Sequence, residues 1–263
     1  MQLSILPIMD AASHSTAEAP AEVQVDFTLQ VGKGQLQVSL PVPTANVTLT
    51  QLLPVLQNLT SSIIDSVVHV VHEEGYQISC RAGCGACCSQ LVPLSLFEAE
   101  ALTTWIRSLP PERQQHLEQR FHDTLLALRD AGILEHFNPS IWDESTPETR
   151  AFAMDYLAQK VPCPFLENQS CSIHPIRPLV CREYLVTSPA EYCAAPTNET
   201  VSPIPLPVKP SRLLYQFGAY LEPNTHGWIP LVFLFAWMKS NAHPGDEISG
   251  PGPELLYEFI KRL

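Results

Sequence analysis

No hydrophobic run in this chain is long enough to cross a bilayer. The longest apolar stretch near the C-terminal end, Trp228 to Met238, falls well short of the ~20 residues of a spanning helix and reads as a core helix. Positive charge is also scarce, with 15 Lys and Arg against 27 Asp and Glu and a net charge of −12. The basic residues form no cluster or stripe, so nucleic-acid binding through phosphates is disfavoured. Met1 to Met9 carries no basic residue, and its apolar run is broken by Pro7 and ended by Asp10. A secretory leader is therefore not expected, and the expected location is cytoplasmic. A Gly-rich nucleotide loop, a Gly-x-Ser-x-Gly elbow and a His-Glu-x-x-His motif are all missing, which leaves the common nucleotide-enzyme and hydrolase readings without support. There is no internal repeat.

Cysteine is absent before residue 80 and after residue 193, and between those limits it is dense. Cys80, Cys84, Cys87 and Cys88 fall within nine residues, and Cys163, Cys171, Cys181 and Cys193 follow. A disulfide framework suits small secreted domains that lack a core, which a chain of 263 residues does not need. It would also require the adjacent Cys87 and Cys88 to find separate partners. Cysteines acting only as small buried hydrophobes would not gather in this way beside glycines. A metal or metal-cluster site remains. Closely held thiolates repel one another unless a cation neutralises them. Gly83 and Gly85 would let the loop bend several sulfurs towards one point. Arg81, Arg177 and Arg182 lie inside the cysteine segments, where their charge would offset that of a thiolate-bound centre.

Spacing leaves the metal open. Structural zinc usually takes paired short knuckles, whereas seven and nine residues separate Cys163, Cys171 and Cys181. Iron–sulfur clusters accept wider spacing. Cys80-x3-Cys84-x2-Cys87 has the spacing that radical-SAM enzymes use, but the strand–helix repeats of such a barrel do not follow it. The expected cofactor is an iron–sulfur cluster of the [4Fe-4S] type, with Zn2+ as the alternative.

The rest of the chain reads as support. Residues 1–20 are expected to form a flexible tail. Val23 to Val31 and Leu36 to Leu40 alternate apolar with polar residues around Gly32-Lys33-Gly34, predicting a hairpin that Pro41 and Pro43 end. Thr50 to Glu74 changes to helical spacing through Leu52, Leu56, Leu59, Ile63, Val67 and Val70, and Gly75 stops it. His69 and His72 on this helix read as surface or capping groups. Ser95-x-x-Glu98 is a capping box opening a helix with Phe97, Ala101, Leu102 and Trp105 inward. Another helix opens at Pro110-Pro111 and stops at Gly132, with Leu117, Phe121, Leu125 and Leu128 inward. A short helix runs from Pro147 to about Lys160. Residues 161–193 read as largely irregular and 194–210 as an extended Pro-rich connection. Helices are expected around Ser211–Tyr220, Trp228–Asn241 and Pro253–Leu263. The predicted fold is mostly α with an N-terminal β-hairpin and an irregular cysteine-rich metal-binding core packed among helices. Its expected divisions are 1–20, 21–75, 76–200 and 201–263.

Three blocks then line up: Cys80-x3-Cys84-x2-Cys87-Cys88, Cys163-Pro-Phe-Leu166, and Cys171-x-Ile-His-x2-Arg177-Pro-x2-Cys181-Arg182-x-Tyr184. In this order, with their non-cysteine residues, they resemble the YkgJ-like cysteine-cluster family, a zinc- or iron-chelating domain, over roughly residues 76–193. His174 stands where that pattern normally has Tyr, either as a simple aromatic exchange or as an added ligand or proton carrier. The resemblance implies metal chelation through the cysteines, and the family's flagellin lysine N-methylase relatives imply an iron–sulfur centre tied to methyl transfer. Fold similarity does not itself transfer a reaction.

The candidate metal ligands are Cys80, Cys84, Cys87, Cys88, Cys163, Cys171, Cys181 and Cys193, the last lying outside the core motif. Arg177 and Arg182 are the candidate cofactor-binding residues around the sulfurs. No catalytic residue stands out, although His174, Tyr184 or a thiolate could handle protons in an enzyme. The chain reads as a redox or methyl-transfer enzyme or as a zinc-stabilised interaction module. The expected partner is accordingly a small-molecule substrate or another protein, with no nucleic acid and no membrane span.

Overall fold

A computed structural model describes residues 21–136, 146–197, 199–221, 227–240 and 248–263. The expected tail at 1–20 and the C-terminal limit at Asn241 lie outside these residues.

The alternating segments form two long antiparallel strands, β1 (Glu22–Val31) and β2 (Gly34–Pro43), in register with Val25 opposite Leu40 and Phe27 opposite Val38. Gly32 takes a left-handed φ of 60° at the turn. Pro41 and Pro43 do not end β2 as expected; both lie within it, opposite Gln24 and Glu22. A two-stranded ribbon has only edge strands, where the missing proline donor costs no inner ladder bond. Val25, Phe27, Leu29, Val38, Leu40 and Val42 are buried on one face.

β3 (Asn46–Thr48) leads into α1 (Leu49–Glu73), which is started by a Thr48–Gln51 capping box. The stripe of α1 is fully buried from Leu52 to Ile63, but Val70 is 49% exposed, so the last turns of the helix leave the core. β4 (Pro93–Ser95) precedes α2 (Leu96–Ser108), and α3 (Pro111–Asp130) and α4 (Pro147–Ala158) follow. The segment from 161 to 194 contains the small strands β5 (Leu166–Glu167) and β6 (Ser170–Cys171) and the short helix α5 (Leu179–Glu183), with 3-10 turns on either side.

α6 (Pro210–Leu221) and α8 (Gly252–Ile260) match expectation. The predicted helix over Trp228–Asn241 does not begin at Trp228. Trp228–Pro230 is a strand, β7, pairing with β4, and after a 3-10 turn only Leu234–Lys239 is α-helix, α7. Pro230 and the pairing with Pro93–Ser95 hold the entry extended. β8 (Ser249–Pro251) pairs with β3.

Two cores result. The larger joins the hairpin, α1, α6 and α8 with Phe97 and Leu179, so the N-terminal hairpin packs with the C-terminal helices. The second joins α2, α3, Leu231 and Leu234 with Phe165 and Ile173, and Cys163 and Cys171 border it. The cysteine segments lie beside this second core. Among the described residues, no helix is long and apolar enough to cross a membrane.

Candidate metal centre

The first cysteine segment begins where α1 stops at Gly75, whose φ is 87°. The chain runs extended to Ser79, whose amide donates to the Val186 carbonyl at 3.0 Å. It then folds into successive turns: Cys84 N–H donates to Arg81 O, Cys88 N–H to Gly85 O, and Gln90 N–H to Cys87 O. The two loop glycines have different roles. Gly83 takes a left-handed φ of 80°. Gly85 is needed for close approach, since a Cβ there would stand 2.8 Å from Leu166 Cδ1. Cys88 O accepts from Cys163 N–H at 2.6 Å, fastening this loop to the second segment.

α3 holds that second segment. Arg120 donates to the carbonyls of Pro164 and Leu166, each at 2.6 Å, and Arg113 pairs with Glu167. Asn168 and Gln169 turn β5 into β6 with left-handed φ values of 49° and 62°. Two buried glutamates brace α5, which carries Cys181. Glu98 caps α2 through Ser95 and also accepts from Leu179 N–H at 2.7 Å. Glu183 accepts from Ser211 N–H at 2.9 Å, at the start of α6. Burial pushes both carboxyls up despite these donors.

These anchors bring six cysteines to one cavity of about 150 Å³: Cys84, Cys87, Cys88, Cys163, Cys171 and Cys181. Phe165, Ile173, Leu91 and Leu231 give it apolar walls, and Arg81, His174, Arg177 and Tyr184 supply its polar groups. Cys80 and Cys193 are not on its wall. They pack nearby with Val186, Val201, Ala86, Tyr184 and Cys87. All eight thiols are free.

The arginines separate. Arg177 lines the cavity, and its charge reaches Cys80, Cys87, Cys171 and Cys181. Its Nε is buried without a hydrogen-bond partner among the described residues. Arg182 instead donates to the carbonyls of Arg177, at 3.2 Å, and Pro175. It thus braces the turn that presents Arg177 and His174. His174 is exposed on the cavity's rim, and burial with the charges of Arg177 and Arg182 pushes its pKa down, so the ring is neutral at pH 7. His69 is a surface group beside Glu73, at 3.3 Å.

Burial raises the Cys163 thiol to about 12 and holds Cys181 well above the ordinary thiol value. Cys87 is pushed up first by the neighbouring Cys88 thiol and then by burial. Cys80, Cys171 and Cys193 are also raised, in each case chiefly by burial. Protonated thiols have no charge to share with a cation. Among the described residues no three His, Cys, Asp or Glu side chains converge on one metal position. Metal binding would have to displace the protons and draw the sulfurs inward. The donor set nevertheless suits a thiophilic metal, and the unpartnered Arg177 Nε suits an anionic sulfur centre.

Sequence reasoning missed Glu183, Arg113, Arg120 and the second role of Glu98. The seven-residue spacing of Arg113 and Arg120 on one predicted helix was the available signal, since it puts both on one face.

Residues 79–199 match the family model described as "putative zinc- or iron-chelating domain". No curated protein and no solved structure matches the chain.

Proposed function

We propose that this chain, whose residues 79–199 carry a zinc- or iron-chelating cysteine-cluster domain, binds a [4Fe-4S] cluster in the cysteine-lined cavity and uses it as a redox centre. One observation carries the reading: six thiols from three separated segments line a single cavity of about 150 Å³. A lone tetrahedral zinc uses four sulfurs at ~2.3 Å and needs no void between them. The volume is roughly ten times the ~10–15 Å³ that admits one water, which is room for a polynuclear centre.

A bound cluster would supply one-electron chemistry, with its potential tuned by hydrogen bonds to sulfur and by solvent exposure. The chain's own residues supply the rest. Cysteine thiolates would hold the centre, Phe165, Ile173 and Leu231 would exclude water, and the free Arg177 Nε–H would donate to sulfur. His174 on the rim and Tyr184 on the wall are the groups available to hold protons there.

The test is Cys171→Ser and Cys181→Ser in protein purified without oxygen. Both variants should lose most of their iron and visible charge-transfer absorption. Wild-type iron in both would overturn the proposal. Colourless wild-type protein carrying stoichiometric zinc would replace it with a structural interaction module.

A further inference from the structure

The geometry points to a ligand site apart from the cysteines: a cavity between α1 and α2 that binds a small, planar, uncharged aromatic molecule carrying a ring N–H. It is separated from the cysteine cavity by one turn of chain. Ile176 lines the new cavity, Arg177 lines the cysteine cavity, and Pro178 borders both. Its volume is about 220 Å³, larger than that of the cysteine cavity. An apolar cavity of ~150 Å³ is enough to hold benzene, so this one has room for two fused rings. Leu53 and Pro54 from α1 and Ala101, Leu102 and the half-buried Trp105 from α2 make its walls apolar. Trp105 meets Phe165 edge-on, with ring centres 6.4 Å apart and an angle of 64°. That contact fixes the orientation of the indole, which offers an aromatic ligand a surface to pack on.

The acceptor for the ring N–H comes from a proline. α1 continues through Pro54, which has no N–H to give, so the Thr50 carbonyl one turn earlier lacks its helical donor. Thr50 and Pro54 both line the cavity, and the orphaned carbonyl opens onto its wall. Gln57, three residues beyond Pro54 and on the same face, adds a side-chain amide. Charge then sets the class of ligand. Glu98 is on the wall, and among the described residues no Lys, Arg or His lines the cavity, so an anion is disfavoured. Nor is Glu98 free to pair with a cation: Oε2 accepts from Ser95 and Oε1 from Leu179. An uncharged donor on an apolar ring satisfies the Thr50 carbonyl without bringing a charge into the cavity.

The experiment is calorimetric titration of the full-length protein with indole and with 1-methylindole, which keeps the rings but loses the N–H. Wild type should bind indole about three- to tenfold more tightly than 1-methylindole, the worth of one hydrogen bond. Pro54→Ala returns an amide to the Thr50 carbonyl and removes a helix-interior proline, so Tm should rise. In this variant the preference for indole should vanish, while 1-methylindole binds as it does to wild type. Ala101→Leu fills the cavity and should bind neither probe, with circular dichroism verifying its fold. Cys171→Ser should bind indole as wild type does, because the site does not depend on the metal centre. Absence of indole binding in wild type, or wild-type binding in folded Ala101→Leu, would overturn the site. An unchanged indole preference in Pro54→Ala would overturn the Thr50 acceptor. Loss of indole binding in Cys171→Ser would place the molecule in the cysteine cavity instead and overturn the separate site.

Discussion

Desolvation raises the thiol values of Cys163 and Cys181, so both keep their protons at neutral pH and a metal must remove them. With the thiol values of Cys163, Cys171, Cys181 and Cys87 raised in the metal-free chain, each ligand that ionises on binding releases about one proton. Apparent affinity therefore rises with pH below those values, by about tenfold per pH unit for each proton released. Chelator competition at pH 6.5 and 7.5 measures this, and equal affinities at the two values would exclude protonated thiols as ligands. Arg177→Gln removes the donor whose Nε is buried without a partner. A hydrogen bond involving a charged group contributes about 1.5–3 kcal/mol, so metal retention should fall roughly 10- to 100-fold, with a lower reduction potential; metal competition and redox titration check both. Arg182→Gln should alter these readouts less, because Arg182 faces carbonyls. The cysteine spacing was legible in the sequence. The division of labour between the two arginines was not, because both stand in the same motif and only tertiary contacts set their directions.

α5 is five residues long and could not hold Cys181 in place alone. Glu98 and Glu183 fix its two ends. Glu98→Gln replaces an acceptor oxygen with a donor among Ser95 N–H, Ser95 Oγ–H and Leu179 N–H. It should cost about 2 kcal/mol in urea unfolding and weaken metal retention, whereas Glu112→Gln, on the surface of α3, should change neither. The hairpin, α1 and the Ser95 cap could be read locally because alternation, helical spacing and capping are local properties. The strand Trp228–Pro230 could not, because an apolar run that includes tryptophan has no period and its strand state comes from pairing with Pro93–Ser95.

Over the whole molecule, the N-terminal hairpin and the C-terminal helices share one core, and two glycines mark close approaches, one within that core and one beside it. A Cβ at Gly252 would stand 2.0 Å from the Pro43 carbonyl oxygen, where α8 begins against the end of β2. At Gly227, where φ is 71°, it would stand 1.8 Å from Tyr215 O. Gly252→Ala and Gly227→Ala should each cost about 3 kcal/mol, or roughly 6–12 °C in Tm; a calorimetric scan with Tm unchanged would mean that the elements pack less closely than described. The two ends were legible as elements, but their shared core was not, because it depends on contacts more than 150 residues apart.

The central claim is that thiols gathered from separated segments hold an iron–sulfur centre. Its most direct test is iron and acid-labile sulfide measured together, with the absorption spectrum, on full-length protein purified without oxygen. The account predicts about four iron and four sulfide per chain with broad visible charge-transfer absorption that bleaches on reduction. Iron and sulfide both absent from colourless, folded protein would contradict it.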